Sequence, residues 1–178
     1  FSKNDNLVIL YKKISDLTKL NISSKELKYI KQKIKKKEKI ITINQYSRFL
    51  VIINLEKNKI QSKYFELLRK TGAEIQSILK SYTALVLVNE NRKSKDILSL
   101  AEGIALKNYC FDRHKSKKNK SLLKTVYIQN IAKQEITELQ NIINAVYLTK
   151  NLINEPFSHL KAQDLANEAK KVAKKYNL

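Results

Sequence analysis

Glycine occurs only at Gly72 and Gly103, proline and cysteine once each, and methionine not at all in these 178 residues. Two glycines cannot write a P-loop or a dinucleotide fingerprint, so glycine-dependent phosphate cradles are excluded on count alone. The lone Cys110 can neither close an intrachain disulfide nor supply a multi-cysteine metal cluster, which points to a reducing, cytoplasmic setting. Long apolar runs are also missing. Stretches such as Phe49 to Ile53 and Ala84 to Val88 fall far short of the roughly 20 residues a membrane helix needs, so a transmembrane helix is excluded and no membrane partner is expected. Phe1 to Leu10 lacks the basic and long apolar segments of a secretory signal. Because residue 1 is not an initiator methionine, the chain is expected to be part of something longer.

Charge is abundant and lopsided, with 36 Lys plus Arg against 16 Asp plus Glu and a formal net charge of +20. Clustered cations of that order raise the question of nucleic acid, because they release counterions condensed on phosphate. Yet arginine, the residue suited to bidentate phosphate and base recognition, stands only at Arg48, Arg69, Arg92 and Arg113. The excess is lysine accompanied by many Ile, Asn and Tyr, a composition that A- and T-rich codons produce without selection for a basic surface. The densest runs, Lys31 to Lys39 and Lys115 to Lys120, lack interleaved aromatics and read as a solvated helix end and a polar loop. A lysine-rich nucleic-acid-binding module remains the alternative function.

Short apolar runs bounded by polar turns predict strands at Leu7 to Leu10, Ile40 to Ile43, Phe49 to Ile53, Thr83 to Val88 and Leu122 to Ile128. Helical spacing lies between them. Ser23 and Glu26 have capping-box spacing ahead of an inner stripe of Leu27, Ile30 and Ile34. Ser62 to Lys80 turns Phe65, Leu68, Ile75, Ile78 and Leu79 to one side, and Ser94 to Leu106 does so with Ile97, Ala101, Ile104 and Ala105 behind a Ser94 cap. Strands rich in Ile, Val and Leu with little alternation imply a mixed sheet with helices on both faces, a three-layer α/β arrangement.

From Lys133 to Ile153 a long helix is predicted, with Ile136, Leu139, Ile142, Ile143, Val146, Tyr147 and Leu152 in register. Asn154, Glu155 and Pro156 stop it, because proline removes a donor and disfavours helix in the residue before it. A last helix follows from about Lys161 to Tyr176, its stripe formed by Ala162, Leu165, Ala166, Ala169, Val172 and Ala173. Such a stripe after the first domain has closed calls for a surface to cover it.

No catalytic constellation assembles from the sequence. His114 and His159 each lack a partner at ligand spacing, and Asp112 beside His114 is too little for zinc, so an exposed loop is expected there. Cys110, between Tyr109 and Phe111, has no base to activate it and reads as buried filler. Asp164 and Glu168 are placed to pair with Lys161 and Lys171 on a helix surface.

Two stretches carry a resemblance. Lys150-Asn-Leu-Ile-Asn-Glu-Pro156, followed by Leu160 and Asp164-Leu-Ala166, resembles the Asp-Leu-Val-Asn-Glu-Pro signature of the leucyl aminopeptidase family. Upstream, Ala101-Glu-Gly-Ile-Ala-Leu-Lys-Asn-Tyr-Cys-Phe-Asp-Arg-His-Lys-Ser116 resembles that family's Glu-Gly…Tyr-x-Phe-Asp-x-Tyr-Lys segment. Asn151 stands where the family usually has Asp, His114 where it has Tyr, and Phe157-Ser158 where a small residue and Asn are common. The resemblance covers about residues 62 to 178 and implies a macro-domain-like N-terminal domain over 1–132, a linking helix over 133–153 and the truncated start of a catalytic domain over 154–178. It further implies a parent enzyme that releases N-terminal amino acids from peptides as a homohexamer, using two divalent ions, zinc or manganese. The family holds those ions through a Lys, three Asp and a Glu in glycine-containing motifs absent from this chain. No catalytic or metal-binding residue is therefore carried over, and no cofactor is expected on this segment. Asn154, Glu155 and Pro156 are carried over only as the junction motif.

Overall fold

Consecutive Ile, Val and Leu can be hidden only in strands covered on both faces, and the computed structural model places the apolar runs in such a sheet. It describes residues 4–11, 13–56, 59–90, 93–116 and 121–177. The order is β1 (Leu7–Tyr11), a short 3-10 helix (Ile14–Lys19), α1 (Ser24–Lys35), β2 (Ile40–Asn44), β3 (Phe49–Ile53), α2 (Gln61–Leu79), β4 (Ala84–Glu90), α3 (Ser94–Asn108), β5 (Thr125–Ile128), α4 (Lys133–Asn154) and α5 (Ala162–Tyr176). The sheet runs β2-β3-β1-β4-β5, parallel except for the β2–β3 hairpin. Leu7 of the central strand sits opposite Leu50 on one side and Val86 on the other.

The two-residue period of a strand divides the core into two layers. Val8, Leu10, Val51, Leu85 and Leu87 meet Leu68, Ile75 and Leu79 of α2 and Ile97, Leu100 and Ile104 of α3. Leu7, Ile9, Ile52, Val86 and Val88 meet Leu17, Leu20, Ile22 and Ile30 on the opposite face. The capping box at α1 forms as its spacing predicts: Ser23 Oγ accepts from the Glu26 amide at 3.3 Å, and Glu26 Oε2 accepts from the Ser23 amide at 2.7 Å. Burial opposes ionisation of Glu26, but hydrogen bonds with Gln45 and Ser23 and the Arg48 charge outweigh it and hold its carboxyl below the usual glutamate range. Arg48 itself is a buried tie, donating to the Leu20 carbonyl at 2.9 Å and to Gln45 Oε1 at 2.6 Å.

Several expectations need correction. Ser94 does not cap α3. Lys93 is the N-cap, and the Asp96 amide bonds to its carbonyl at 3.0 Å, so the helix starts one residue earlier and Ser94 is its first turn. Ile78 faces outward at 42% exposed, because buried Gln76, bonded to Asn108 at 3.0 Å, takes the inward arc of that turn. The last strand begins at Thr125, not Leu122. Its partner β4 starts only at Ala84, which sits opposite Thr125, while the Leu122 and Lys124 amides bond at 2.9 Å to the Lys80 and Thr83 carbonyls of the turn before it. β5 is also the sheet's edge, and Tyr127 on it stands exposed, so both-face coverage ends there.

The two glycines lie where α2 crosses α3. A Cβ at Gly72 would run into the Leu100 carbonyl, and one at Gly103 into the carbonyl of Arg69. Neither residue has a positive φ, so it is the lack of a side chain that matters. Close approach lets Arg69 Nε reach Glu102 Oε2 at 2.7 Å. Over-packing a rigid crossing costs about 1–3 kcal/mol, occasionally more. Gly103→Ala is accordingly expected to destabilise the chain by about 3 kcal/mol, read as a lower urea midpoint at unchanged slope. An alanine variant as stable as the parent chain would mean that the helices are not in backbone contact.

Candidate functional site at the α4–α5 junction

α4 rests on α3 more lightly than its predicted stripe implies. Only Ile143 is buried, Ile142 is exposed, and a cavity of about 260 Å³ lies beneath it, lined in part by Ile104, Val126, Ile136 and Tyr147. Its firmest contacts are at the C-terminal end. The Tyr147 hydroxyl donates to the Ala105 carbonyl, and the Tyr147 and Tyr109 rings meet edge to face at 5.1 Å. Burial, with some contribution from Tyr109, pushes the Tyr147 pKa up. Tyr109 in turn donates to Asn151 Oδ1 at 3.0 Å and lies 5.1 Å beneath Lys150 Nζ.

The helix stops as the Asn-Glu-Pro run predicts. Asn154 is its last residue and Glu155 leaves helical geometry at φ −70°, ψ 126°, ahead of Pro156. The Asn154 side chain donates to the Lys150 carbonyl at 2.8 Å, while the Pro156 carbonyl accepts from the His159 and Leu160 amides at 2.8 and 3.0 Å. Glu155 does more than break a helix. Its Oε1 lies 2.5 Å from His114 Nε2 and its Oε2 3.3 Å from Arg113 Nη1, with the side chain 11% exposed. The His114 ring stacks on His159 at 4.2 Å and 13°. The two segments carrying the resemblance, 101–116 and 150–156, therefore meet through Tyr109, Arg113 and His114 on one side and Asn151, Asn154 and Glu155 on the other.

His114 lies exposed in a turn, as the sequence predicts; its two partners, 41 and 45 residues away, are what no local pattern marks. Cys110 is exposed, not filler, because half-buried Tyr109 and Phe111 take the inward positions on either side of it. Glu168 pairs with Lys171 at 2.6 Å as its spacing predicts, but Asp164 caps the Lys161 amide at 2.9 Å instead of meeting that side chain. Lys31 to Lys39 are mostly exposed, with Lys33 held by Glu38 at 2.8 Å. Residues 117–120 of the second lysine run, Arg92, residues 1–3 and residue 178 lie outside the described residues.

The junction cluster does not suit a metal ion. Glu155 is already engaged by a guanidinium and an imidazole, the two histidine rings are stacked face to face, and among the described residues no group of three or more His, Cys, Asp or Glu is arranged to hold one. What the arrangement does is tie: one carboxylate gathers side chains from two segments. The hydrogen bond from His114 holds the Glu155 carboxyl below the usual glutamate range, against the effect of burial and with help from the charges of His114, Arg113 and His159. A depressed carboxylate stabilises the fold above its unfolded pKa, and that contribution is lost as pH falls through the native value. Glu155→Gln is thus expected to lower stability at neutral pH, with the difference from the parent chain shrinking as acid protonates the carboxylate, in thermal melts followed down through the acid range. A pH-independent difference would contradict the tie.

No family model matches the sequence. The chain is 33% identical over 140 residues to a probable cytosol aminopeptidase of Phytoplasma mali, a match covering 71% of this chain and 28% of that protein. It is 30% identical over 148 residues to a probable cytosol aminopeptidase of Aquifex aeolicus, covering 79% and 29%. A third, from Fusobacterium nucleatum, is 27% identical over 168 residues, covering 93% and 33%. The chain thus spans a third or less of the length of these relatives. Among solved structures, a tomato leucine aminopeptidase mutant matches with TM-score 0.71 at 16% identity, over 97% of this chain and 40% of that one. The Coxiella burnetii cytosol aminopeptidase matches with TM-score 0.65 at 17% identity, over 99% and 37%. Among the described residues no helix is long and apolar enough to cross a membrane. With relatives of one name along most of its length, and the fold of the leucine aminopeptidase N-terminal domain, the chain belongs to the leucyl (cytosol) aminopeptidase family.

Proposed function

We propose that the chain is the non-catalytic N-terminal segment of a leucyl aminopeptidase-like exopeptidase, serving assembly and access to an active site carried elsewhere in the parent protein. Residues 1–132 form the macro-domain-like N-terminal domain, 133–153 the linking helix and 154–178 the start of the catalytic domain, with Asn154, Glu155 and Pro156 as the junction. The parent is a cytoplasmic homohexamer that uses two divalent ions, zinc or manganese, to activate water against the N-terminal peptide bond. No step of that chemistry is assigned to a residue of this chain.

The observation that carries this reading is α5. Its stripe is the one the sequence predicts, yet none of its residues is buried, and Leu165 and Tyr176 stand exposed together with Phe157 in the turn before it. An amphipathic helix of 15 residues gains most of its stability from packing that stripe. Its uncovered state supports a catalytic domain as the missing neighbour, as does the fraction of each relative that the chain spans. Incubated with leucine p-nitroanilide and Mn²⁺ or Zn²⁺, the isolated chain is expected to show no chelator-sensitive turnover. Robust turnover abolished by chelation would overturn the division of labour, as would a stop codon directly after Leu178 in the coding sequence.

A further inference from the structure

β2 forms the second edge of the sheet, and among the described residues β3 is the only strand it pairs with. The Gln45 amide bonds to the Arg48 carbonyl at 2.9 Å and the Asn54 amide to the Lys39 carbonyl at 2.8 Å. Antiparallel bonding alternates in steps of two, so Lys39, Ile41, Ile43 and Gln45 turn their main-chain groups to β3. Those of Ile40, Thr42 and Asn44 point off the sheet. Proteins blunt such an edge with lysine, proline or a bulge. The run Ile40-Ile-Thr-Ile-Asn44 has no charge and no proline, and its pairing with β3 proceeds without a bulge.

The hairpin turn that ends this strand adds an independent feature. Tyr46 stands at φ 60°, a left-handed position costly for an aromatic residue, and its ring is wholly exposed. The turn around it is locked. The Tyr46 amide donates to Asn44 Oδ1 at 2.9 Å, Arg48 ties Gln45 Oε1 to the Leu20 carbonyl, and Gln45 Nε2 donates to Glu26 Oε1 at 2.8 Å. A rigid loop that holds one aromatic side chain in solvent has the make-up of a binding anchor. At the other end of the strand stand Lys36, Lys37 and Lys39, all exposed, and the one carboxylate among them, Glu38, is taken by Lys33 at 2.8 Å.

We propose that the β2 edge pairs antiparallel with the β2 edge of a second copy of this chain, about a two-fold axis at Thr42. In that register Thr42 faces its own counterpart, Ile40 faces Asn44 and Ile41 faces Ile43. Lys39 lies opposite Gln45 and Glu38 opposite Tyr46, so no like charges meet in the ladder. Each Tyr46 ring then comes beside the lysine end of the other copy, where a cation over its face is favourable. The partner must offer an uncharged strand between a cationic end and an aromatic tip. β2 supplies both ends at once, in the order a self-complementary contact requires. A ladder of five residues is short, so the pair is weak and concentration-dependent. It adds a contact surface to the assembly role proposed above and does not depend on where the catalytic residues lie.

At an ionic strength of about 0.15 M, repulsion between two copies of charge +20 is screened beyond about 8 Å. Sedimentation of the full chain under that condition is expected to show a monomer–dimer equilibrium between low micromolar and near-millimolar concentration. Thr42→Lys sets two cations face to face across the axis and is expected to leave only monomer, with its fold checked by the amide spectrum. Tyr46→Asn leaves the ladder untouched and keeps the test decisive if the first variant fails to fold. Asparagine is at ease at positive φ, so this monomer is expected to melt at a higher temperature while its dimer weakens about tenfold. Monomer at every concentration would overturn the pairing, as would a dimer that survives Thr42→Lys or one that Tyr46→Asn leaves as tight as before.

Discussion

Backbone contact between α2 and α3 at Gly72 and Gly103 is the constraint on which the remaining geometry rests. Close crossing fixes where α3 ends, and Asn108 at that end is held by Gln76 at 3.0 Å and by the Leu123 carbonyl at 3.0 Å. The segment 109–116 departs from this fixed point. Its Tyr109, Arg113 and His114 therefore reach a defined place on α4. Had α3 stood off by the width of a methyl group, the junction side chains would meet a displaced target.

From that anchor outward the packing weakens in steps. β1 is buried at every residue, α2 and α3 bury one face each, α4 buries a single residue and α5 none. Polar ties take over where apolar burial runs out: the Tyr147 hydroxyl on the Ala105 carbonyl, Tyr109 on Asn151, and Glu155 between His114 and Arg113. Such exposed or half-exposed pairs position more than they stabilise. The junction is thus held in orientation while α4 keeps cavities beneath it and α5 keeps its stripe in solvent.

Local chemistry was legible in the sequence. The Ser23 and Glu26 spacing gave a capping box, the Ile-rich runs gave the five strands, and Pro156 gave the end of α4. Where a local rule failed, the surroundings had shifted the frame: the Asp96 amide on Lys93 displaced the Ser94 cap, and the start of β4 at Ala84, opposite Thr125, shortened β5. Long-range pairing left no trace at all. His114 and His159 are 45 residues apart, and nothing in either neighbourhood marks the other. The glycines were informative as an exclusion of phosphate loops, while their positive role depends on which helix faces which. The end of α4 at the candidate site was therefore readable, and the partners of the residues around it were not.

The central claim is that the chain's own core ends at α4 and that α5 waits for a surface elsewhere. Residue-resolved hydrogen exchange of the chain in native conditions tests it most directly, because each amide reports the opening that exposes it. Amides of Val8, Ile9 and Val51 are expected to exchange only through global unfolding, and those of Leu165 to Ala173 through local opening at far lower free energy. Protection across α5 equal to that of β1 would contradict the account.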